Sequence, residues 1–421
     1  MNILKKIGKI LNLILIFFVF FITIFSVYVI NTKDYSIKHE RKNFKKILKS
    51  NSLRNNLLND YNEVFLPETQ YQKFDFKKIK LEFLKPEHSN DFHGRHYTFF
   101  LEEKDKEIFV ITQKGNVFFT NKSQLNTDKV NFKNIPTNLK VIKILDMKIF
   151  KNQIYVSTLI KKNEIYFYEI NKAKINLDNL EFEKVFTSQE YECVYSESMG
   201  GKISFIKSGN YEKILLSVST VIRIYDKNQT TLDSQLDKNI CGKIILIDPK
   251  KSTFEIYAKG LRNVIGMYSD DDVTLITDNG PFGGDEINKA EFGKNFGWPH
   301  VSYGEEYFRD KLEEVETYEK NHQAKGFDEP IYAYVPSIGI SEIIKLPNEF
   351  SKTWQNNFLV GSLNGKTLYR VKFDKEFNKI IYKEKIFVGD RIRDIIYLNK
   401  HKKILMALEN SGSIGIINKI K

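Results

Sequence analysis

Cysteine is scarce in this sequence, with only Cys193 and Cys241 among 421 residues. Two cysteines are too few for a disulfide framework, and their separation excludes the Cys-x-x-Cys spacing of zinc sites and redox pairs. The sequence favours two independent buried thiols. A single bridge remains the alternative if the domain lies outside the cytoplasm.

Long helical periods are also absent after residue 65. The sequence has short runs rich in Ile, Val, Tyr and Phe, broken every eight to twelve residues by Asn, Lys, Asp and Gly, which is typical of β-strands. Examples are EIFVIT (107–112), KIILID (243–248) and KILMAL (403–408). About 350 residues of this kind exceed an ordinary β-sandwich, whereas repeated four-stranded blades accommodate the length. We therefore predict an all-β fold, a six-bladed β-propeller.

The predicted propeller lacks a large excess of either charge. The formal charge is +12, but residues 1–80 hold 15 Lys and Arg against 6 Asp and Glu, so the other 341 residues carry only +3. A nearly neutral domain is poorly suited to the phosphates of nucleic acid, so we predict no nucleic-acid partner. The basic N-terminal segment suits anionic lipid headgroups, with a solvated charge run as the alternative.

One long apolar run lies near the start of the chain. Residues 10–30 contain no charged residue, Pro or Gly, and a helix of this length spans the hydrocarbon core of a bilayer. A cleaved signal peptide is the alternative, but the run exceeds a usual signal segment and no small-x-small cleavage site follows it. We predict a basic flank (1–9), a transmembrane anchor (10–30), a basic, helical juxtamembrane stem (31–62) and the propeller (63–421). Basic residues on both sides of the run leave its orientation open.

The segment from Gly260 to Gly304 has the composition of a binding loop. Its TDNGPFGGDE stretch follows a predicted strand, and Gly and Pro there bring backbone carbonyls to the surface near Asp278, Asp285 and Glu286. Calcium binds carboxylate and carbonyl oxygens together, so a calcium site is one interpretation. An Asx-rich turn without a metal is the other.

This segment closely resembles the glucose/sorbosone dehydrogenase family, six-bladed propellers that include PQQ-dependent soluble aldose dehydrogenases. The resemblance covers roughly residues 80–421 and is firm after Gly200. The shared motifs, in the family's order, are GKIILID (242–248), GLRN (260–263), GPFGGDEINKAEFGKNFGWP (280–299), AYVPSIGISEI (333–343), WQNNFLVGSLNGKTLYRV (354–371) and DRIRDI (390–395).

The resemblance implies a cofactor site with specific residues. PQQ is a planar tricarboxylate, which fixed guanidinium groups bind well. The cofactor-binding residues implied are Arg262, Asn263, Lys366, Arg391 and Arg393, of which Asn263 would meet a quinone oxygen and Arg262 would also take part in catalysis. The backbone carbonyls of Gly280 and Pro281 would hold the Ca²⁺ that polarises the quinone.

Two departures from the family affect the chemistry. The family has a histidine as general base three residues before a G-[RK]-[IL] strand start, and Ser198 occupies that position here. A serine hydroxyl is not basic near neutral pH, so Ser198 cannot replace the histidine unaided. The acidic loop after the next strand is also missing, with Thr220 near the expected Asp.

These observations leave two main functions open. The first is a membrane-anchored oxidoreductase that uses PQQ and Ca²⁺ to oxidise an aldose or related polyol, with the family's general base missing. The second is a non-catalytic propeller that binds a glycan or a protein. A metal-dependent lactonase on a related propeller is a third possibility, but the GLRN and RIR motifs favour PQQ binding.

The resemblance also gives the predicted anchor a location. PQQ enzymes work outside the cytoplasmic membrane, so we expect a single-pass signal anchor in a bacterial inner membrane with the propeller facing the periplasm. The partners expected are a sugar or polyol substrate, membrane lipid around the N-terminal helix, and a membrane electron acceptor.

Overall fold

The computed structural model describes most of the chain after residue 62. The described ranges are residues 63–65, 74–88, 95–127, 130–191, 193–195, 199–208, 211–220, 232–305 and 318–419. The chain divides into two units, residues 1–64 and 65–421. The flank, the anchor (10–30) and the stem (31–62) therefore lie outside the described residues and stay predictions. No helix in the described ranges has both the length and the apolar character needed to cross a bilayer.

The second unit is a six-bladed β-propeller, which confirms the predicted fold. One strand from each blade faces the central axis, and each of these inner strands contacts the next around a closed ring. From blade 1 to blade 6 they are β5 (Phe99–Lys104), β9 (Lys143–Phe150), β13 (Gly200–Ser208), β17 (Val264–Ser269), β22 (Ile340–Lys345) and β26 (Ile392–Leu398).

The other strands complete four-stranded antiparallel sheets. Blade 1 adds β6 (Glu107–Thr112), β7 (Val117–Asn121) and β8 (Lys133–Ile135). Blade 2 adds β10 (Gln153–Lys162), β11 (Ile165–Lys174) and β12 (Glu183–Thr187). Blade 3 adds β14 (Tyr211–Val218), β15 (Lys243–Asp248) and β16 (Thr253–Lys259). Blade 4 adds β18 (Thr274–Asp278), β19 (Asp285–Lys289) and β21 (Tyr332–Tyr334). Blade 5 adds β23 (Phe358–Ser362), β24 (Thr367–Phe373) and β25 (Ile380–Phe387).

Blade 6 closes the ring with strands from both ends of the described chain. It adds β27 (Lys403–Leu408), β28 (Ser413–Lys419) and β2 (Phe74–Lys80). Strand β2 pairs antiparallel with β28, in a register that sets Phe74 opposite Lys419. Phe74 is buried, and its ring lies 5.6 Å from that of Phe350 and 4.7 Å from that of Trp354. These contacts fix the outer strand of the last blade against blade 5.

Two short strands, β3 (Glu87–His88) and β4 (Arg95–His96), form a hairpin outside the blades. A three-residue strand, β1 (Glu63–Phe65), precedes β2 in the chain. A further two-residue strand, β20 (Lys294–Asn295), pairs parallel to the edge of blade 3. The helices in the described ranges are short 3₁₀ turns: Lys122–Asn126, Leu232–Ser234, Gln323–Lys325, Lys352–Trp354 and Asn399–His401.

The hydrophobic core consists of layers between neighbouring blades. Alternating apolar residues of one sheet pack against the facing sheet, as Leu275 and Ile287 of blade 4 pack against Ile343, Phe358 and Val360 of blade 5. Equivalent layers lie between blades 1 and 2, 2 and 3, 3 and 4, and 6 and 1. Both faces of the central strands are therefore buried, which explains their nearly continuous Ile, Leu and Val runs.

The two cysteines form a disulfide, so the expectation of two free thiols was wrong. Cys193 and Cys241 have Cα atoms 6.3 Å apart, although 48 positions separate them in sequence. The connection from blade 2 to β13 meets the connection between β14 and β15 at this point. Sequence spacing did not reveal this proximity because it arises from the packing of two loops on one face of the propeller.

Candidate functional site

The predicted site residues that the structure describes lie on one face of the propeller. In each blade, the connection to the next inner strand and the connection between the second and third strands emerge at the same end, because successive strands are antiparallel. Every described candidate lies in one of these connections or at the adjoining start of an inner strand. They are Arg262, Asn263, Gly280, Pro281, Lys366, Arg391 and Arg393.

A buried carboxylate holds the GLRN turn in place. The backbone N–H of Arg262 donates to Asp278 Oδ2 at 2.9 Å, and the N–H of Asn263 donates to Asp278 Oδ1 at 2.5 Å. Burial, together with the nearby Glu286 carboxylate, raises the pKa of Asp278 to about 7 despite these two hydrogen bonds. The turn therefore presents both side chains from a fixed backbone.

The Arg262 guanidinium lies at the predicted calcium ligands. Its Nη1 donates to the carbonyl oxygens of Asn279, at 2.7 Å, and Gly280, at 3.0 Å. The guanidinium carbon is 5.7 Å from the centroid of the Trp298 ring. The other predicted ligand, the Pro281 carbonyl, accepts a hydrogen bond of 3.3 Å from Ser337 Oγ.

This arrangement does not fit a calcium ion at Gly280 and Pro281. A cationic guanidinium is bonded to one of the two carbonyls, and a second cation beside it would be repelled. In the described part of the chain, no cluster of three or more His, Cys, Asp or Glu side chains could hold a metal. A metal ion could therefore bind the Gly280 carbonyl only if the Arg262 guanidinium moved away from it.

The second arginine group is built on a buried carboxylate that sequence reasoning missed. Arg391 Nε donates to Glu409 Oε2 at 3.1 Å, and Arg393 Nε donates to Glu409 Oε1 at 2.6 Å. Thr98 Oγ1 donates a further hydrogen bond of 3.0 Å to the same carboxylate. Burial alone would raise the pKa of Glu409, but Arg393 and Arg391 outweigh it and lower the pKa to about 2. The buried carboxylate of Asp390 also acts on Arg391, and Lys78 Nζ lies 3.5 Å from it. Three cations therefore face two carboxylates, which leaves a net positive charge at this site.

The loop with Lys366 supports the same arginine. Asn364 Oδ1 accepts a hydrogen bond of 2.8 Å from Arg391 Nη1. The Lys366 carbonyl accepts hydrogen bonds of 3.0 Å from the N–H groups of Val388 and Gly389, just before Arg391. Lys366 has a φ of 49°, in the left-handed region. The Lys366 backbone therefore supports the segment before Arg391, and Asn364 contacts Arg391 directly through its side chain.

Backbone hydrogen bonds join the two arginine groups across the face. The N–H of Asn279 donates to the Asn263 carbonyl at 2.9 Å, and Asn279 Nδ2 donates to the Ile340 carbonyl at 3.4 Å. Ile340 follows Gly339, whose carbonyl accepts a hydrogen bond of 2.6 Å from the N–H of Leu363. Three neighbouring loops therefore hold the GLRN turn and the Asn364 loop in one rigid arrangement.

Asp285 fixes the base of these loops. This buried carboxylate accepts hydrogen bonds of 3.0 Å from the N–H of Gly280, 2.9 Å from Ser337 Oγ, and 2.9 Å from each N–H of Ile338 and Ile340. Burial raises its pKa. The conspicuous acidic residue of the GGDE motif therefore has a structural role.

The position of the missing general base lies outside the described residues. Ser198 is not described, but its neighbour Met199 is, and the backbone N–H of Met199 donates to Ser219 Oγ at 2.8 Å. Thr220, near the expected acidic residue, is buried and donates its N–H to the Arg262 carbonyl at 2.8 Å. The connection after β14 is therefore bonded to the GLRN turn through Thr220.

The described residues fit an anionic planar cofactor better than they fit a metal. Arg391, Arg393 and Lys78 exceed the carboxylates of Glu409 and Asp390 by one positive charge, which favours recognition of a carboxylate ligand. Asn263 is buried, and its Oδ1 has no hydrogen-bond partner among the described residues. A buried amide with an unfilled hydrogen-bonding position is suited to a polar group of a ligand.

One signal in the sequence pointed to Glu409. It directly follows the apolar KILMAL strand, at the position where the other site residues also leave their strands. An acidic residue at a strand end resembles an ordinary turn residue, and only the packing of blade 6 brings it to Arg391 and Arg393. Trp298 was part of a family motif, but its contact with Arg262 needed the fold.

Comparison with known proteins agrees with this architecture. A model of the glucose / sorbosone dehydrogenase family matches residues 98–414. The aldose sugar dehydrogenase YliI of Escherichia coli is 27% identical over 191 residues, covering 41% of this chain and 50% of that protein. The chain spans half or less of the length of the curated relatives that it matches.

Solved structures extend the likeness to the whole propeller. The soluble aldose sugar dehydrogenase from Escherichia coli in the apo-form has a TM-score of 0.64 and 16% identity, covering 82% of this chain and 100% of that chain. The PQQ-bound form of an aldose sugar dehydrogenase from Streptomyces coelicolor has a TM-score of 0.56 and 14% identity, covering 82% and 98%. At these identities the likeness establishes the shared fold.

Proposed function

Because the chain belongs to the glucose/sorbosone dehydrogenase family, we propose that it is a PQQ-dependent oxidoreductase that acts on an aldose or a related polyol. The observation that carries this proposal is the pair Arg391 and Arg393 on the single buried carboxylate of Glu409. A buried structural ion pair needs one cation for each anion. Here Arg391, Arg393 and Lys78 face only Glu409 and Asp390, and both guanidinium groups lie on the face that also presents Arg262 and Asn263.

Each residue has a role that follows from its surroundings. Arg391 and Arg393 bind cofactor carboxylates, because their remaining N–H groups retain the fork geometry that such groups recognise. Asn263 and Arg262 hydrogen-bond the polar edge of the ring system from a turn that Asp278 fixes. When bound, PQQ supplies the hydride acceptor for sugar oxidation. The protein supplies orientation and a positive environment.

The proton released from the sugar hydroxyl has to be taken up by a general base. Ser198 stands where the family has its histidine, and general acid–base groups typically contribute about 10² to 10⁴ in rate. We therefore propose slow turnover with cofactor binding retained. The same substitution supports the alternative function, a propeller that binds a glycan or protein without catalysis.

Calcium has no role in the proposed function, because Arg262 bonds to the Gly280 carbonyl.

We also propose a location for the protein: an inner-membrane anchor at residues 10–30, the propeller in the periplasm, and a membrane electron acceptor. Its support is the apolar run in the sequence. Protease treatment of spheroplasts checks it, since digestion of the propeller is expected and full protection would contradict a periplasmic location.

Cofactor titration tests the proposal at its central residues. PQQ is added to the detergent-solubilised full chain and to Arg391→Ala, and binding is followed by isothermal titration calorimetry. Loss of charge-assisted hydrogen bonds should weaken binding roughly ten- to a hundredfold. The control is Lys385→Ala, an exposed cation on the outer strand of blade 5, which should bind like the parent. Absence of PQQ binding by the parent chain, or equal affinity in Arg391→Ala, would refute the proposed site.

A further inference from the structure

A second cavity opens at the other end of the central axis. Its volume is about 720 Å³, and its lining includes Glu102, Lys148, Tyr268, Lys345 and Tyr397. These residues lie near the ends of the inner strands β5, β9, β17, β22 and β26, whereas the arginine site lies at the starts of the same ring of strands. The cavity, called the lower mouth below, is therefore on the face opposite the arginine site.

A buried ionic network lies along the axis next to the lower mouth. Lys202 Nζ is 2.6 Å from Asp146 Oδ1 and forms an ion pair with Glu342. Asp394, also buried, accepts a hydrogen bond of 2.8 Å from the N–H of Leu101. These groups belong to four different blades, so they link the inner strands across the axis.

Carboxyl groups outnumber ammonium groups in this region. The carboxyl groups that line the mouth, pair with its lysines or share the axial network number seven: Glu102, Glu103, Asp146, Asp270, Glu342, Glu349 and Asp394. The corresponding ammonium groups number four: Lys122, Lys148, Lys202 and Lys345. When its carboxyl groups are ionised, a concave wall with this imbalance attracts and concentrates cations.

Two of the carboxyl groups in the mouth lack a strong partner of their own. Glu102 Oε1 is 3.7 Å from Lys148 Nζ, beyond hydrogen-bonding distance, and no other donor reaches it within the described residues. Glu349 is exposed and has no ion pair in the same part of the chain. The hydroxyl of Tyr397 is buried and also lacks a hydrogen-bond partner there. The lower mouth thus offers the carboxyl groups of Glu102 and Glu349 as acceptors, together with the rings of Tyr268 and Tyr397.

We propose that the lower mouth binds a small organic cation that carries primary ammonium groups, with Glu102 and Glu349 as its counter-ions. An ammonium donates three hydrogen bonds, which suits a carboxylate that lacks a donor. Tyrosine faces add a favourable surface for a cation. Lys345 does not occupy this position because Asp270 holds it at 2.7 Å. Lys148, 3.7 Å from Glu102, is shared with the buried carboxylates of Glu342 and Asp146, so it does not neutralise Glu102 alone.

The protonation of Glu102 makes the proposal testable by pH. Burial raises its pKa to about 8, with Lys148 and Lys202 lowering it and Asp394 and Asp146 raising it further. An ammonium ligand stabilises the ionised carboxylate, so binding releases a proton below this pH. Affinity for a cation should therefore increase between pH 6.5 and pH 8.

The probe is spermidine, titrated calorimetrically into the detergent-solubilised full chain at low salt, without PQQ. We expect about tenfold tighter binding at pH 8 than at pH 6.5, and weaker binding when salt is added. Glu102→Gln should weaken binding at pH 8 about tenfold and abolish the pH dependence. The matched control is Glu255→Gln, on the outer strand of blade 3, whose affinity should equal that of the parent.

Glu349→Gln covers the case in which Glu102→Gln does not fold. Because Glu349 is exposed, this variant should fold, bind spermidine several-fold more weakly, and keep the pH dependence. Triethylene glycol, a neutral chain, should not bind. The proposal is overturned by absence of spermidine binding, by affinity unchanged in both glutamine variants, or by equal binding of triethylene glycol. None of these outcomes depends on PQQ binding at the opposite face.

Discussion

Replacing Glu409 by glutamine should destabilise the propeller strongly at neutral pH. The carboxylate is fully buried and bonds to Arg391, Arg393 and Thr98. Its pKa falls from 4.5 to about 2 on folding, because the two guanidinium groups outweigh the effect of burial. A shift of this size corresponds to about 3 kcal/mol. Removal of one partner from a buried ion pair independently suggests a loss of roughly 3–5 kcal/mol.

The sign of the pH dependence follows from the direction of the shift. The folded-state pKa lies below that of the unfolded chain, so the stabilisation is complete above about pH 5 and disappears as the pH falls towards 2. Urea unfolding of the detergent-solubilised full chain at pH 7 and pH 4 measures this difference. The gap between the parent and Glu409→Gln should be large at pH 7 and smaller at pH 4.

Glu376→Gln is the control for this experiment, because Glu376 is exposed in the turn before β25. It should leave the free energy of unfolding unchanged. If Glu409→Gln costs less than about 1 kcal/mol at pH 7, the arginine pair does not depend on this carboxylate. A gap that stays constant with pH would equally contradict a depressed pKa.

Three further predictions concern other parts of the molecule. Lys202→Met leaves two buried carboxylates without their ammonium and should lower the free energy of unfolding by roughly 3–5 kcal/mol, whereas Lys207→Met, exposed on the same strand, should change it little. The double variant Cys193→Ser/Cys241→Ser opens a loop of 48 residues, and urea titration should show a loss of up to about 4 kcal/mol that reducing agent does not increase. Ser198→His should raise sugar-dependent turnover by about 10² without changing PQQ affinity; unchanged turnover would mean that position 198 does not provide the base.

Local patterns in the sequence predicted the strands well. The runs EIFVIT, KIILID and KILMAL correspond to β6, β15 and β27 residue for residue. Each is a short apolar segment bounded by turn residues, so local propensity and burial favour the same structure. The closure of blade 6 was not predictable in this way, because β2 and β28 lie more than 300 residues apart and pair only when the ring is complete.

The sequence likewise predicted some residues of the candidate site and not others. Family motifs placed Arg262, Asn263, Arg391 and Arg393 on one face, and the structure brings them there. The motifs did not reveal Glu409, because the counter-ion of a pair is set by packing rather than by neighbouring residues in sequence. They also did not reveal that Arg262 would contact the Gly280 carbonyl, since a long flexible side chain selects its partner only in the folded molecule.

The pairing of the two cysteines also could not be predicted from the sequence. Composition favoured free thiols, because two cysteines form no framework. Cys193 and Cys241 meet because two loops of adjacent parts of the propeller converge over the start of blade 3. Proximity of this kind depends on loop conformation, which alternation and residue propensity do not encode.

Sugar-dependent electron transfer is the most direct measure of the proposed function. The detergent-solubilised full chain is incubated with PQQ, and the reduction of a dye is followed with a panel of aldoses and polyols. We predict slow reduction that requires PQQ and at least one sugar, and that falls in Arg391→Ala at sub-saturating PQQ. Stoichiometric PQQ binding without reduction by any sugar would contradict the enzymatic function and favour a non-catalytic propeller.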